Sequence, residues 1–309
     1  MGDKATRAAF GETLNELVAA GLDVVAVEAD LSKSTTTATF EQENPGRFFN
    51  AGIAEANMID VAAGLAVAGK IAFTGSFAVF ATGRAYDQVR NTVCYSDLNV
   101  KLAPTHSGIT VGPDGGSHQM VEDIALMRVL PGMYVVVPAD FNSAKSALRL
   151  AAMTTGPFYV RLGRVGVPQV YEPGFELELG KAYVLREGSD VTLAACGVMV
   201  GEALKAADLL AAQGVSAEVI DVACIKPLDI ETLVASAHKT GNMVTCEEHS
   251  IIAGMGSAVA EALAENHPIP MRRVGVRDVF GTSGEPDELM AYFGLTASDI
   301  VGSARELLD

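Results

Sequence analysis

The segment 134–155 has the sequence YVVVPADFNSAKSALRLAAMTT. It begins with an unbroken run of aromatic and β-branched residues, which is typical of a buried strand. Asp140 then precedes an alanine-rich stretch and predicts the N-cap of a helix over residues 140–155. A buried strand that leads directly into a helix is the repeating unit of parallel sheets covered by helices.

The same unit recurs on both sides of this segment. Short apolar, mostly β-branched runs predict buried strands at residues 23–27, 70–73, 99–102, 134–137, 191–195, 217–220 and 243–246. Helical stretches are predicted at residues 7–20, 54–68, 81–95, 118–129, 140–155, 199–213, 253–266 and 284–292. This alternation predicts an α/β fold in which mostly parallel sheets are flanked by helices.

Prolines and glycines interrupt the periodicity between residues 166 and 174, which is the best candidate for a linker. A length of 309 residues also suits two domains of ordinary size. We therefore expect one domain over residues 1–168, a linker over residues 169–180 and a second domain over residues 181–309. Each domain is expected to contain its own mostly parallel sheet.

The composition excludes several classes of function. The formal net charge of −16 disfavours binding to nucleic acid or to an anionic membrane, since both attract basic surfaces. No apolar run approaches the roughly 18 residues of a membrane span, and the N-terminus lacks an apolar signal core. The widely spaced cysteines indicate reduced thiols: Cys94, Cys196, Cys224 and Cys246. We expect a cytoplasmic protein.

The glycine-rich segment 105–119, THSGITVGPDGGSHQ, is the strongest candidate for a ligand site. It follows a predicted strand, at the carboxyl end where α/β sheets bind ligands. His118 is predicted to open the next helix, where free backbone N–H groups favour an anion. The alternatives are an ordinary surface loop, or a metal site from His106, Asp114 and His118, although their spacing matches no common ligand pattern.

Glu55 and a pair of phenylalanines suggest a site for a flat ring. Glu55 lies near the start of a helix of small residues, where burial would raise its pKa and let it share a proton with a nitrogen heterocycle. The alternative is a solvated acid that complements the helix N-terminus. Phe77 and Phe80 are one helical turn apart and predict either a stacking platform or ordinary core packing.

Arginines suited to bidentate capture of phosphate lie outside obvious helix surfaces: Arg7, Arg161 and Arg164. Solvation or ion pairing is the alternative for each of them. The segment 253–259 begins like a dinucleotide-binding fingerprint, but Val259 stands where a third small residue is needed. This segment therefore favours a tight turn into a helix.

Taken together, Glu55, the Phe77/Phe80 pair and the run DGGSHQ at residues 114–119 resemble the transketolase family of thiamine diphosphate enzymes. The likeness extends over nearly the whole chain and implies a pyrimidine-binding domain followed by a transketolase C-terminal domain. It implies that Glu55 is catalytic, because it hydrogen-bonds the aminopyrimidine ring of the cofactor and activates it. Phe77 and Phe80 are similar to the aromatic wall that binds this ring.

The resemblance also implies substrate-binding roles. Residues similar to the family's phosphate ligands for a sugar phosphate are Arg7, Ser34, His106 and Arg164. Asp114 would contact a hydroxyl group beside the reacting carbonyl, and His118 would bind the donor near the reacting carbons and assist proton transfer. The implied reaction moves a two-carbon ketol unit from a ketose phosphate to an aldose phosphate.

The departure from the family is equally informative. The chain has no Gly-Asp-Gly and no Asn-Asn pair, whereas full-length members use such residues to hold Mg²⁺ and the diphosphate of thiamine diphosphate. We expect these ligands on an N-terminal partner subunit, with no metal ligands in this chain. The chain starts with Met at the pyrimidine-binding domain, so we expect a natural subunit of a split transketolase. The family's dimer implies an assembly with two copies of each subunit.

Other functions stay open at this point. A split transketolase specialised for an unusual ketose, such as a sulfosugar or a branched pentulose phosphate, fits the same motifs. A β-subunit of a 2-oxoacid dehydrogenase E1 component is disfavoured by the sugar-binding pair Asp114 and His118. A 1-deoxyxylulose-phosphate synthase is disfavoured, because that enzyme keeps both halves in one chain. A non-catalytic subunit is disfavoured because the motif set is intact.

Overall fold

A computed structural model describes residues 4–309. Its strands are β1 Lys4–Ala5, β2 Val24–Glu28, β3 Phe48–Asn50, β4 Ile71–Thr74, β5 Val100–Leu102, β6 Tyr134–Val136, β7 Phe158–Val160, β8 Gly166–Val167, β9 Tyr183–Arg186, β10 Val191–Ala195, β11 Ala217–Asp221, β12 Cys224–Lys226, β13 Met243–Ser250 and β14 Met271–Val276. Its α-helices are α1 Ala9–Ala19, α2 Ser32–Thr35, α3 Ala38–Glu43, α4 Glu55–Val67, α5 Asp123–Arg128, α6 Phe141–Met153, α7 Met199–Ala211, α8 Ile230–Thr240, α9 Met255–Asn266, α10 Pro286–Tyr292 and α11 Ala297–Leu308.

The strands form two larger sheets and one short ribbon. The first sheet has the order β12-β6-β7-β5-β4-β2-β3, and all its pairs are parallel except β12 with β6. The second has the order β14-β13-β10-β11-β9, with only β9 antiparallel. Strands β1 and β8 pair with each other. The predicted α/β class with two mostly parallel sheets flanked by helices is confirmed.

Strand burial explains why these segments form sheets covered on both faces. Every residue of β2, β10 and β11 is buried, as expected for parallel strands packed between helices. One apolar cluster contains Met58 of α4, Val135 of β6 and Ile220 of β11, so the two sheets share a continuous core. Strand β12 strengthens this connection, because it lies in the C-terminal half of the sequence but pairs with β6 of the first sheet.

The predicted helix cap at Asp140 is confirmed. One carboxylate oxygen of Asp140 accepts the backbone N–H of Ser143 at 2.8 Å, in a capping box. The other oxygen accepts the N–H groups of Val170 and Tyr171, each at 2.8 Å. One side chain therefore starts α6 and holds the segment that was expected to be a linker against the first sheet.

Two helix predictions need correction. Residues 81–95 form π-helical turns at Val79–Arg84 and Gln88–Cys94 in place of a regular α-helix. His118 does not open a helix, because α5 begins five residues later at Asp123. The backbone N–H of Gly108 donates to Met120 and the reverse bond also forms, so the chain is extended where a helix was predicted.

None of the helices within residues 4–309 combines the length and the apolar character needed to cross a membrane.

Candidate active site

The candidate site lies at the carboxyl ends of β4 and β5, which are adjacent and parallel. An isolated bridge between Phe77 and Thr105 continues this pairing beyond both strands. Ser76 and His106 have φ values of 69° and 60°, a left-handed conformation that non-glycine residues rarely adopt. These two turns bring the rings of Phe77 and His106 into a stack with centroids 3.8 Å apart.

A group of cationic side chains surrounds His106. Nη1 of Arg7 lies 3.4 Å from Nε2 of His106 and also donates to the carbonyl of Ser34 at 2.7 Å. Arg164 donates to the carbonyl of Val111, and its charge lowers the pKa of Arg7 after the larger effect of burial. The structure thus brings together the predicted phosphate ligands, with Ser34 holding Arg7 through its backbone.

His106 is electrostatically prepared for an anion. Burial, followed by the charges of Arg7, Arg164 and His118, lowers the pKa of His106 to about 3. The imidazole is therefore neutral at pH 7. With an Arg7 N–H facing Nε2, the hydrogen-bond network assigns the ring proton to Nδ1, which lies 2.7 Å from Oγ1 of Thr105. An anion between the two guanidinium groups would relieve this accumulated positive charge.

Glu55 is the first residue of α4 and is only 3% exposed, so the alternative of a solvated helix acid is wrong. Nη1 of Arg84 lies 3.0 and 3.2 Å from its two carboxylate oxygens. The guanidinium carbon of Arg84 lies 4.5 Å from the centre of the Phe80 ring. The flat guanidinium group of Arg84 thus lies between Glu55 and Phe80, at the place where the resemblance implies the aminopyrimidine ring of thiamine diphosphate.

The two phenylalanines of the predicted platform lie close together. Phe77 and Phe80 are nearly parallel, with centroids 6.0 Å apart and planes 12° apart. His118 meets both rings edge-on, at 6.3 Å from Phe77 and 5.4 Å from Phe80. Asp114 is exposed in the turn Gly112–Asp114 of the same loop. The predicted ring site and the predicted phosphate site therefore meet where Phe77 stacks on His106.

Glu28, at the end of β2, was missed by the sequence analysis. Its buried carboxylate accepts the hydroxyl groups of Thr35 at 2.6 Å and Thr37 at 2.9 Å, and the N–H of Ser76 at 3.1 Å. Burial raises the pKa of this carboxyl group. Glu28 thereby ties helix α2, which contains Ser34, to the loop that contains Phe77. A charged residue that ends an apolar strand was the available signal.

Two other predictions are resolved by the geometry. Arg161 is buried and pairs with Asp123 at 2.7 Å, so ion pairing describes it and phosphate capture does not. Across residues 4–309, no group of three or more His, Cys, Asp or Glu side chains is placed to hold a metal ion. The alternative metal site at His106, Asp114 and His118 therefore has no support in this geometry.

Comparison with known proteins shows the family to which the chain belongs. Residues 3–169 match the sequence model of the transketolase pyrimidine binding domain, and residues 180–300 match that of the transketolase C-terminal domain. This chain belongs to the transketolase family. The resemblance stated from the motifs is confirmed.

Two relatives of similar length are named as transketolase subunits. The chain is 49% identical to a 6-deoxy-6-sulfo-D-fructose transketolase subunit of Clostridium sp. strain MSTE9, over 93% of this chain and 89% of the relative. It is 39% identical to an apulose-4-phosphate transketolase subunit of Phocaeicola vulgatus, over 98% of this chain and 97% of the relative.

Solved structures of transketolases also match this chain. A structure described as a split gene transketolase in an inactive beta4 tetramer matches with a TM-score of 0.92 and 51% identity, covering 99% of both chains. Transketolase from Leishmania mexicana matches with a TM-score of 0.82 and 27% identity, but this chain covers only 46% of it. The chain thus corresponds to about half of that longer transketolase.

Proposed function

We propose that this chain is the C-terminal subunit of a two-chain transketolase. The complex would transfer a two-carbon ketol unit from a ketose phosphate to an aldose phosphate with thiamine diphosphate as cofactor. The observation that carries this proposal is the junction of two half-sites at Phe77 and His106. Glu55 and Phe80 lie on one side of it, and the cations Arg7 and Arg164 lie on the other.

The missing half of the site is assigned to an N-terminal transketolase subunit. That partner would supply the ligands of Mg²⁺ and of the cofactor's diphosphate, since this chain has no Gly-Asp-Gly motif. The proposed assembly has two copies of each subunit. Within the chain, we propose a pyrimidine-binding domain over residues 1–168, a linker over 169–180 and a C-terminal domain over 181–309. The family matches over residues 3–169 and 180–300 support these boundaries.

The residues of this chain have distinct roles in the proposed reaction. Glu55 would hold the aminopyrimidine ring through a hydrogen bond and keep a proton at the ring nitrogen, while Phe77 and Phe80 hold the ring face. When bound, thiamine diphosphate supplies the carbanion chemistry that breaks and forms the carbon–carbon bond. His118 would bind the sugar near its reacting carbons, and Asp114 would contact a neighbouring hydroxyl group.

The phosphate step follows from the charges around His106. A dianion between Arg7 and Arg164 accepts charge-assisted hydrogen bonds and offsets the repulsion between these cations. Because the imidazole is neutral without the anion, it must turn an N–H toward the phosphate, either by taking up a proton or by changing tautomer. The protonation state or tautomer of His106 would therefore depend on the charge of the bound group.

A second candidate is a transketolase for an unusual ketose. The two relatives act, by their names, on a sulfosugar and on apulose 4-phosphate, and this chain resembles both over most of its length. A sulfonate would also satisfy the pair Arg7 and Arg164. Sulfonate carries one negative charge where phosphate carries close to two at pH 7, so the two ligands would load this site differently.

Replacing His106 tests the phosphate assignment. In the complete complex, His106→Ala should raise KM for a ketose phosphate by roughly 10- to 100-fold, as expected for the loss of one charge-assisted hydrogen bond. KM for the unphosphorylated ketose should change little. His238→Ala is the matched control, since His238 stacks on His267 outside the site. A fall in kcat alone would contradict the phosphate role. A higher kcat/KM for the sulfonated ketose would favour the second candidate.

A further inference from the structure

The loop that carries Asp114 and His118 is held from the C-terminal domain. We define residues 109–119 as the substrate loop. Oε1 of Glu248, on β13, accepts the backbone N–H of Thr110 at 2.6 Å. Gly108 permits this approach, because a Cβ at this position would lie 2.1 Å from the carboxyl carbon of Glu248. The first turn of the loop is therefore built around a side chain of the other domain.

The backbone of Glu248 is tied to the far end of the same loop. Nη2 of Arg161 donates to the carbonyl of Glu248 at 3.0 Å and to the carbonyl of Met120 at 3.2 Å. Asp123 holds the guanidinium group through two further bonds, at 2.7 and 3.1 Å. Because the backbones of Gly108 and Met120 bond each other, both ends of the loop and Glu248 form one network.

A second C-terminal segment covers the outer part of the loop. Nε2 of Gln119 donates to the carbonyl of Ile109 at 3.0 Å and to that of Thr282 at 2.8 Å. Gly116 packs so closely that a Cβ there would lie 2.6 Å from the carbonyl oxygen of Gly281. The loop is thus clamped on two sides by residues of one C-terminal domain, and Glu248 supplies the charged contact.

Burying the carboxylate of Glu248 costs free energy unless its contacts compensate for the loss of water. Glu248 is buried, and burial raises the pKa of its carboxyl group. An apolar residue there would avoid the desolvation of a charge, but it would leave the N–H of Thr110 without its acceptor. The contact therefore orders a turn of the substrate loop at the expense of desolvating Glu248.

We infer that the C-terminal domain positions the substrate loop, with Glu248 as the positioning residue that determines where Asp114 and His118 stand. The inference rests on the proposed function for its kinetic consequence, while its structural part concerns this chain alone. Glu247 provides a matched comparison. It is equally buried on the same strand, but its carboxylate accepts the N–H groups of Met255 and Gly256 at the start of α9, away from the loop.

The test combines amide hydrogen exchange of the chain with kinetics of the complete complex. Glu248→Ala should speed exchange in residues 109–119 and raise KM for the ketose donor on the order of ten-fold, with a smaller change in kcat. Glu248→Gln keeps an acceptor for Thr110 and should restore most of both properties. Glu247→Ala should lower stability without either change.

The two readouts separate the possible failures. If the wild-type complex shows no two-carbon transfer, the proposed function fails, and the exchange of residues 109–119 still decides the loop contact. If the complex is active but Glu248→Ala leaves both exchange and KM at wild-type values, the inference is overturned. Equal effects of Glu247→Ala and Glu248→Ala on KM would also overturn it. If Glu248→Ala does not fold, Glu248→Gln with unchanged exchange but a much raised KM contradicts the inference.

Discussion

Arg84 occupies, in the free chain, the position where the proposed cofactor ring would meet Glu55. Its guanidinium group is planar, bonds both carboxylate oxygens of Glu55 and lies over the face of Phe80. The carboxylate is buried whereas the Arg84 side chain is 56% exposed, so the arginine is free to leave toward solvent. Cofactor binding would then require this ion pair to open.

Removing Arg84 should strengthen binding of thiamine diphosphate. An ion pair of this exposure contributes about 0.5–1 kcal/mol, so Arg84→Met should lower the Kd of the cofactor by roughly 2- to 5-fold. The measurement is calorimetric titration of the complex with partner subunit and Mg²⁺. Arg90→Met is the control, because Arg90 is exposed and contacts Asn91. Weaker binding in Arg84→Met would show that Arg84 belongs to the bound cofactor site.

At this scale the sequence predicted residue types better than their partners. Glu55, Phe77 and His106 could be named because small-residue, aromatic and glycine-rich surroundings mark them along the chain. Arg84 could not be paired with Glu55, since 29 residues separate them and the π-helical turn that aims Arg84 has no clear sequence signal. Glu248 was missed for the same reason: its partner, Thr110, is 138 residues away.

Among the elements, most buried central strands were predicted, but the central strand β7 and the edge strands were not. Val191–Ala195 matches its prediction residue for residue, because an apolar run bounded by polar residues clearly favours a buried strand. Strands β9 and β12 lie at sheet edges, are short and contain charged residues, so local pattern does not mark them. Lys101 is a further surprise, because its buried amine on β5 bonds the carbonyls of Thr154 and Gly156.

The end of β11 carries a carboxyl group that should make stability depend on pH. Burial, with a smaller contribution from Asp140, raises the pKa of Asp221 from 3.8 to about 7, although a bond from Tyr171 opposes the shift. The folded state therefore holds a proton that the unfolded state loses. Its stabilising contribution is complete below pH 3.8 and is lost as the pH rises through about 7.

Asp221→Asn should remove this pH dependence. Between about pH 5 and pH 8, the free energy of unfolding of the wild type should fall by about 2 kcal/mol or more relative to the variant. Urea unfolding across this range measures the difference. Asp208→Asn, an exposed change in the same domain, should leave the pH dependence unchanged. Parallel pH profiles for the wild type and Asp221→Asn would refute the assignment.

At the scale of the whole molecule, a cluster of basic side chains lies on a protein whose net charge is negative. The chain has a net charge of −16, yet Arg7, Arg164, His106 and His118 meet at one end of the first sheet. A cationic site on an acidic protein attracts a small anion at short range only, because ions screen the field beyond about 10 Å. The proposed binding of a sugar phosphate is therefore compatible with an acidic surface that does not attract nucleic acid.

At the scale of the whole molecule, the sequence predicted some features and not others. The family membership and the fold are established, and the sequence predicted both because a set of motifs in fixed order is far more specific than any single motif. The contacts between the C-terminal domain and the substrate loop could not be predicted from the sequence. They depend on packing between segments that are more than a hundred residues apart.

Two-carbon transfer from a ketose phosphate to an aldose phosphate, measured with and without the N-terminal transketolase subunit, tests the central claim most directly. With thiamine diphosphate and Mg²⁺, the wild-type chain should be inactive alone and active with the partner. The Glu55→Gln complex should assemble normally and show almost no turnover, because the carboxyl group that holds a proton at the ring is gone. Turnover by this chain alone, or near-normal turnover in the Glu55→Gln complex, would contradict the account.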